Sequence, residues 1–520
     1  MKSAPAETDF IVIGAGVAGL RAAIELSVAG RVLVLTKREV PNFGANDPKI
    51  QAQWLGDDDE LILHLQDTLT AGDGLCHVAA VKLLLDEGPE RINELLEWGK
   101  GRGMKLVFAQ DATSSKSRAL HAQGDSTNRE ILRLLYEKAH SLKHISIVPF
   151  AFTCDLKTDA GAITGVSVLD EKGQPYEIPC SAVLLANGGL GQIYRNTTNP
   201  ESATGDGLAM ALRAGAEAGD LEFIQFCPTS LYLKKLPSFL LPETLLEEGA
   251  YLRNIELDRF MGKYHPLAER APRDLVARAI IHEMEVTRAK DPVVYLDLTH
   301  LNSSKVQKHF PQIYETCMAH NVDITEDLLP VRPAAYFSIG GVRTDLDART
   351  KIRGLYAVGE VATTGLHGAN RFPSNTLLEG LVYGTRAGRA MREEARSAAP
   401  GVAAQLKAAY SNGPVEPGVE ELIGQIREIM WSSVGIVRTR AGMQKAVTSL
   451  ESMTAKLAHP KTRRGYEAAN IHLAALWVAK SALAREESRG AHYRMEYPDH
   501  DDKKFLKHSV VRGDKVVFLF

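Results

Sequence analysis

The sequence predicts a protein of the α/β class built from three parts, and three observations carry this prediction. The first forty residues follow the order strand, glycine turn, helix, strand. From residue 221 to about residue 337 a mixed, proline-containing stretch interrupts this pattern, and short strands with glycine turns return from Gly340. After Pro400 the composition shifts to Ala, Lys, Glu and Leu at helical spacing, which predicts three or four helices over residues 402–487.

The glycine turn has the spacing GxGxxG and follows the apolar run Phe10 to Ile13 directly. Gly14 allows the tight turn, Gly16 lets the backbone approach a pyrophosphate, and Gly19 lets the helix pack closely on the strand. The pyrophosphate then lies at the N-terminus of the helix. An isolated motif of this kind is weak evidence, but its position between two strands favours a bound dinucleotide. A glycine-rich turn without a ligand is the alternative.

Later segments add to this nucleotide site. The second strand, Val32 to Leu35, ends in Thr36-Lys37, where a typical NAD site has an acidic residue, so NAD is disfavoured. The apolar run Ser181 to Ala186 leads into Asn187-Gly188-Gly189, which predicts a buried strand that approaches a ligand. Thr204-Gly205-Asp206-Gly207 opens a predicted helix over Leu208 to Ala218. Other helices are predicted over residues 61–100, 128–139 and 375–397, and a small antiparallel meander over residues 152–156, 163–169 and 175–178.

Composition excludes several classes of protein. The chain has 520 residues, 45% hydrophobic and 24% charged, which is ordinary for a soluble globular protein. A net charge of −3 disfavours nucleic acid or an acidic membrane as a partner. There is no apolar run of about 18 residues and no signal-peptide pattern, so we expect neither a membrane span nor secretion. The five cysteines are scattered without a CxxC pair, which argues against a metal site or a disulfide framework and favours the cytoplasm.

A set of motifs in one order resembles a known family. The motifs are Gly14–Gly19, Leu120-His121-Ala122, Ala186–Gly189, Thr204–Gly207, Gln225–Thr229, Ala271–Asp274, Gly359–Val361, Gly365–Arg371 and Ser488–His492. This order resembles the flavoprotein subunit family of succinate dehydrogenase and fumarate reductase, and within it the L-aspartate oxidases. The resemblance covers nearly the whole chain. It implies a Rossmann-like FAD-binding domain over residues 1–220 and 338–400, an inserted α+β capping domain over 221–337, and a C-terminal helical domain over 401–520.

The resemblance also implies how FAD is held. Glu360 would hydrogen-bond the ribityl chain, and residues at the start of the helix near 375 would line the edge of the ring. We expect non-covalent FAD, because no histidine occurs between Lys37 and Asp59, where respiratory members attach the cofactor. The predicted cofactor residues are Gly14, Gly16, Ala18, Gly19, Thr36, Lys37, Arg38, Gly188, Gly189, Asp206, Gly207, Glu360, Ser374, Asn375 and Leu377.

Two arginines match the catalytic residues of the family, whose chemistry is hydride transfer between a substrate carbon and flavin N5. Arg273 matches the residue that donates or accepts the proton, and Arg371 matches the residue that clamps a substrate carboxylate bidentately. Either could instead be an ordinary ion-pair residue. Of the histidines in retained motifs, His367 is expected to be structural, and His492 is a candidate to reach the site from the helical domain.

Other site positions depart from the family. Cys227 and Tyr336 stand where the family has histidines, and Glu243 follows Pro242 where the family has Thr-Glu. Asp111 falls near an active-site glutamate of the family but lacks its flanking residues, and residues 47–50 replace a flavin-facing Ala-Gln-Gly-Gly loop. Cys227 is either a reactive thiol or, as we favour, a small apolar filler; Tyr336 either donates a hydrogen bond or fills space.

These departures have consequences for the substrate. Each buried donor lost to a substrate carboxylate costs about 1.5–3 kcal/mol. Three such losses should abolish efficient use of aspartate, succinate or fumarate. We therefore expect an FAD-dependent oxidoreductase that acts on a different small amino acid or carboxylate, with oxygen or a soluble electron acceptor. A fumarate-reductase-like C=C reductase and a degenerate FAD-binding homologue without turnover are the alternatives, and the sequence leaves the oligomeric state open.

Overall fold

The structure, a computed structural model, describes residues 8–39, 52–53, 58–100, 106–109, 119–122, 127–169, 173–233, 238–242, 244–287, 292–395 and 416–520. Its strands are β1 (Phe10–Ile13), β2 (Val32–Leu35), β3 (Ala52–Gln53), β4 (Leu106–Ala109), β5 (Ala119–Ala122), β6 (Ile145–Val148), β7 (Thr153–Asp159), β8 (Ala162–Leu169), β9 (Pro175–Pro179), β10 (Val183–Leu185), β11 (Ala218–Gly219), β12 (Ile224–Leu231), β13 (Phe239–Leu240), β14 (Tyr251–Arg253), β15 (Val294–Asp297), β16 (Leu329–Ser338), β17 (Gly341–Arg343), β18 (Leu355–Ala357), β19 (Ala362–Thr363), β20 (His508–Arg512) and β21 (Lys515–Leu519).

Its helices are α1 (Val17–Leu26), α2 (Asp58–Ala71), α3 (Val78–Gly99), α4 (Thr127–Ser141), α5 (Asp206–Arg213), α6 (Thr244–Glu247), α7 (Arg273–Val286), α8 (Ser303–His309), α9 (Pro311–Met318), α10 (Asn375–Ala395), α11 (Val419–Ser433), α12 (Arg440–Met453), α13 (Arg463–Ala484) and α14 (Asp502–Phe505). Three predicted features, Asp111, Glu243 and the loop at 47–50, lie outside the described residues. Among the described helices, none combines the length and the apolar character that crossing a membrane requires.

A parallel five-stranded sheet in the order β18-β10-β1-β2-β6 forms the centre of the fold. Its middle strands are buried on both faces, which explains their continuous apolar sequences. One face packs against α1, α3, α4 and α10, and the other against the β7–β9 meander and the C-terminal helices. Because the strands are parallel, the predicted glycine turns that follow β1, β10 and β18 meet at one edge of the sheet.

The inserted part has its own sheet and its own core. The sheet has the order β13-β12-β16-β15-β14, and helices α6 to α9 accompany it. Its core centres on buried residues such as Leu252, Phe260, Ile280 and Phe310. The chain leaves through β11 and returns through β17, and these two strands pair with each other. The predicted α/β class with an inserted α+β unit is therefore confirmed, while the exact domain boundaries stay a prediction.

The C-terminal part contains three packed helices, α11 to α13, in agreement with the predicted bundle. These helices share one hydrophobic core with the central sheet. The chain then adds two strands, β20 and β21, to the sheet that contains β11 and β17. Of these two strands, the sequence predicts only the last, from the apolar run within residues 515–520. Helix α5 also ends earlier than predicted, at Arg213, because Gly215 adopts a positive φ of 89° and turns the chain.

Candidate active site

The glycines of the first turn form a cradle at the edge of the sheet. Gly14 has φ of 115°, and a Cβ there would overlap the carbonyl of Ala186. A Cβ at Gly19 would overlap the Gly14 carbonyl, so only glycine lets α1 sit this close to its strand. Gly16 and Gly188, in contrast, face open space, since a Cβ at either would meet nothing within 4 Å. This space at the N-terminus of α1 fits a pyrophosphate.

Glu360 lies across the sheet edge from this cradle, directly after β18. Its Oε1 accepts hydrogen bonds from the amide and the hydroxyl of Ser338, at 2.9 and 3.1 Å. A Cβ at Gly189 would overlap the Glu360 carboxylate, so these two predicted residues depend on each other for space. Burial raises the pKa of the Glu360 carboxyl to about 7. A carboxyl of this kind fits a ligand hydroxyl, as the predicted ribityl contact requires.

Replacing Glu360 by glutamine should stabilise the apoprotein more at pH 8 than at pH 5.5. The folded pKa is raised from 4.5 to about 7, so the folded state holds this proton more tightly than the unfolded state does. The wild type therefore loses stability as the pH rises between these values, by on the order of 1–3 kcal/mol. Urea unfolding of both apoproteins at the two pH values measures this. An equal stability difference between the variant and the wild type at both pH values would contradict this prediction.

The side chains of Lys37 and Asp206 hold the fold together. The Lys37 ammonium donates to Thr204 Oγ1 and Asp206 Oδ2, each at 2.6 Å, and to Glu467 Oε1 at 3.1 Å. These bonds use all three of its donors. The other oxygen of Asp206 accepts from Asn470 Nδ2 at 2.8 Å. The two side chains thus join the end of β2 and the start of α5 to α13, and contact of Lys37 and Asp206 with the cofactor stays a prediction that their backbone would have to fulfil.

Thr36 and Arg38 follow the end of β2, as expected, and several of their backbone groups are hydrogen-bonded to neighbouring segments. Thr36 N donates to the Val148 carbonyl at 3.1 Å, and its own carbonyl accepts from Ala151 N at 2.9 Å. The Arg38 carbonyl accepts from Phe150 N at 3.3 Å. The site therefore retains the Thr36 and Arg38 side chains as candidates for contact with the cofactor, and this stays a prediction.

Two small residues among the predicted contacts serve close packing. A Cβ at Gly207 would overlap Asn187 Oδ1, and one at Gly359 would lie 3.3 Å from the Ala18 side chain. Gly207 and Ala18 are therefore packing positions beside the site. Asn187 Oδ1 is buried and has no hydrogen-bond partner among the described residues. The open glycines and this acceptor fit FAD, a ligand with many hydroxyl groups.

The start of α10 contains the other predicted ring contacts. Ser374 is fully buried, and its hydroxyl has no partner within the described part of the chain. Leu377 is buried in the core beside α1, so only its backbone is suited to a ligand. The Asn375 side chain instead points to α2, where it bonds His64 and Thr68. Only the backbone of Asn375 is therefore available to the ring, and its contact with the cofactor stays a prediction.

Arg371 is buried where the FAD-binding part meets the inserted part. Its Nε donates to Gln225 Oε1 at 3.1 Å, and its Nη1 donates to the Pro373 carbonyl and to Thr376 Oγ1. Its Nη2 is buried without a hydrogen-bond partner among the described residues. Burial lowers the pKa of this guanidinium from its ordinary value. Such a cation with a spare donor is suited to a carboxylate.

The structure brings Arg371, Arg273, Tyr336 and Cys227 together. The Arg371 guanidinium lies 5.1 Å from the centre of the Tyr336 ring and 4.4 Å from that of Phe337. Burial raises the pKa of the Tyr336 phenol, while the charges of Arg371 and Arg273 oppose this shift. Cys227 is buried, and its thiol donates to the Thr229 carbonyl at 3.1 Å. This environment favours the interpretation of Cys227 as a filler.

An open cleft lies beside Arg273 and is bounded by all three parts of the chain. Gln225 and Arg273 come from the inserted part, Asn370 from the FAD-binding part, and Tyr493 from the C-terminal part. Gln225 also donates to Asn370 Oδ1 at 3.1 Å and holds Arg371, so it organises this wall. Sequence reasoning used Gln225 only as part of a motif and missed this function. Its position two residues before Cys227 was the available signal.

His367 and His492, which lie in retained motifs, both have buried partners in the fold. His367 Nε2 lies 3.0 Å from Glu379 Oε2, and both side chains are buried, which agrees with its expected role. His492 is fully buried, with Nδ1 beside Arg438 at 2.6 Å and Nε2 beside the Arg485 carbonyl at 3.2 Å. Burial and these cations hold its pKa well below the ordinary value. Both ring nitrogens of His492 thus face partners in the C-terminal part, and its contact with the substrate stays a prediction.

Comparison with known proteins agrees with this geometry. The FAD binding domain family matches residues 9–377, and the family described as fumarate reductase flavoprotein C-term matches residues 424–517. The L-aspartate oxidase of Streptomyces coelicolor is 38% identical over 533 residues, covering 97% of this chain and 91% of that protein. L-aspartate oxidase 1 of Ralstonia nicotianae is 39% identical, with 94% of this chain and 95% of that protein covered.

Solved structures agree as well. A variant of E. coli quinol fumarate reductase superposes with a TM-score of 0.86 at 30% identity, covering 98% of this chain and 96% of that chain. A quinol-fumarate reductase with menaquinol molecules superposes with a TM-score of 0.88 at 29% identity, covering 99% and 98%. From its sequence and its fold, the chain belongs to the L-aspartate oxidases of the fumarate reductase flavoprotein family and is an FAD-dependent oxidoreductase.

Proposed function

We propose that this enzyme oxidises a small amino acid or carboxylate by hydride transfer, in a substrate pocket that differs from that of the relatives that use aspartate. The buried Arg371 guanidinium with its spare Nη2 donor is the observation that carries the proposal. Bound FAD supplies the hydride acceptor, N5 of its ring. The protein contributes the position and the charge of the substrate.

In this proposal Arg371 binds a substrate carboxylate, and Gln225 holds the guanidinium in place through Nε. Arg273 lies close enough for its charge to influence both Arg371 and Tyr336, and it exchanges the substrate proton. A site with two cations needs an anionic substrate to balance them. The role of Arg273 rests on the family motif, and that of Arg371 on the motif together with its surroundings.

The other walls of the pocket are less polar than they would be with the two histidines that the family has at positions 227 and 336. The Cys227 thiol is engaged with a backbone carbonyl, and the Tyr336 ring stacks near the guanidinium of Arg371. With fewer donors for a second carboxylate, the pocket suits a substrate that is less polar than aspartate at one end. Glu243 and Asp111 remain candidates for the rest of this wall.

Anaerobic stopped-flow mixing of the holoenzyme with a substrate panel tests the proposal. The panel contains L-aspartate, succinate and α-amino acids with one carboxylate. Rapid bleaching of the flavin by a member other than L-aspartate and succinate is expected. Bleaching by L-aspartate at least as fast as by every other member would overturn the altered pocket. Reoxidation of pre-reduced enzyme by fumarate or other unsaturated acids, with no bleaching by any acid, would favour the reductase instead.

Restoring a histidine in this pocket should increase the use of L-aspartate. We expect Tyr336→His to accelerate flavin reduction by L-aspartate about tenfold to a hundredfold, because a regained donor to a buried carboxylate is worth about 1.5–3 kcal/mol. Tyr336→Phe is the matched control, since it keeps the ring and adds no donor. An equal increase in both variants would show that the phenol merely obstructs the pocket, and no increase in either would contradict the prediction.

A further inference from the structure

Helices α1 and α10 present their N-termini to the same edge of the sheet. Gly380 approaches Val17, Gly384 approaches Ala18, and Gly388 approaches Glu25. Because higher residue numbers on α10 lie against higher residue numbers on α1, the two helices run parallel. Five residues of α10 precede Gly380, so α10 begins about 7 Å beyond the start of α1. Its first turn therefore extends past the pyrophosphate cradle, toward the side where Glu360 lies.

Two residues of α2 hold this first turn. His64 Nε2 lies 2.6 Å from Asn375 Oδ1, and Asn375 Nδ2 donates to Thr68 Oγ1 at 3.0 Å. All three side chains are buried, with at most 1% exposed. His64 and Thr68 are four residues apart and so share one face of α2. With the amide in this orientation, His64 donates the proton on Nε2.

We propose that His64 and Thr68 are positioning residues that fix the first turn of α10 against the flavin and thereby raise the reduction potential of bound FAD. A helix N-terminus carries about half a positive charge, which favours a negative charge placed beside it. The flavin ring gains electron density when it is reduced, so this end of α10 favours the reduced form. The buried, unpartnered hydroxyl of Ser374 at the same turn independently indicates a polar ligand there.

The orientation of the turn matters because the effect of the helix N-terminus falls off within one turn. A helix that is free to fray or rotate at Asn375 would lose most of this effect, although the protein would still fold. The inference rests on FAD binding alone and does not depend on the proposed substrate. The result of the substrate panel therefore neither supports nor contradicts this inference.

Reduction potentials of the bound flavin in His64→Leu and Thr68→Val test the proposal. Both variants keep the volume of the side chain and remove a hydrogen bond to Asn375. We expect a more negative potential than in the wild type, measured by anaerobic dye equilibration. In apoprotein titrations the affinity for reduced FAD should fall about two- to fivefold more than that for oxidised FAD. A purely structural role would weaken both forms equally.

Conservative variants and a control on the same helix sharpen the test. His64→Gln keeps a donor near the position of Nε2, and Thr68→Ser keeps the hydroxyl, so both should retain a potential near that of the wild type. Leu65→Ala removes a partly buried contact of α2 without touching Asn375, and it should lower the melting temperature while leaving the potential unchanged. A wild-type potential in His64→Leu, or an equal shift in Leu65→Ala, would overturn the proposal.

Discussion

Replacing Arg371 by alanine is expected to lower kcat/KM for the accepted substrate by about 30-fold to 5,000-fold. Removing one partner of a buried, hydrogen-bonded charge pair costs about 2–5 kcal/mol, and Nη2 of this guanidinium is a buried donor without a partner among the described residues. Arg371→Lys should fall between alanine and wild type, because lysine keeps the charge and loses the planar fork.

Two measurements separate this loss from damage to the fold. The flavin spectrum and the melting temperature of Arg371→Ala show whether the cofactor site survives the loss of the bonds to Gln225 and Thr376. Arg195→Ala is the matched control, since Arg195 pairs with Glu428 on the surface at 2.8 Å. That variant should keep its activity. If Arg371→Ala holds FAD and turns over its substrate like the wild type, Arg371 does not bind the substrate.

Replacing Arg485 by methionine should destabilise the protein by about 3–5 kcal/mol. Arg485 is fully buried, and its Nε lies 2.6 Å from Glu222 Oε1, while its Nη1 lies 2.9 Å from Glu487 Oε1. It also donates to the carbonyls of Phe505 and Lys507. Methionine would leave the buried Glu222 carboxylate without its cation, which is the costly way to break an ion pair, while Glu487 would keep its bonds to Arg489.

Urea unfolding of the holoenzyme measures this loss, with Arg440→Met as the matched control. Arg440 pairs with Glu486 at 3.3 Å on the surface, and its loss should cost at most about 1 kcal/mol. Adding Glu222→Met to the Arg485→Met variant should recover part of the stability, because it removes the buried carboxylate that has lost its cation. Similar midpoints for Arg485→Met and Arg440→Met would contradict the prediction.

The sequence did not show how some side chains of the site are bonded, because their partners are distant in the sequence. Lys37 matches a cofactor-binding motif, but its ammonium bonds Glu467, 430 residues away. Asn375 was assigned to the ring, yet its amide bonds residues on α2, more than 300 positions away. A motif indicates where the backbone runs. It does not indicate which of several neighbouring acceptors a long polar side chain will reach.

The same difference between local signals and distant partners explains which elements of the C-terminal part the sequence predicted. Helical spacing predicted α11 to α13, because an amphipathic pattern is local. The return of β20 to the sheet beside β11 had no such signal, since a strand of five residues is identified chiefly by its partner. Arg485 and Glu222 were likewise unremarkable in the sequence, where 263 residues separate them.

The sequence by itself determined the α/β class, the inserted part, the FAD cofactor and the enzyme family. Each depends on local backbone requirements, such as the turn at Gly14 and the open approach at Gly16, which few other residues can meet. The tertiary structure decided which side chains face the cleft and which are used to hold it. It left Arg371 with an unbonded donor and bonded the side chains of Lys37, Asp206 and Asn375 within the fold, because most buried polar groups find a partner among their neighbours.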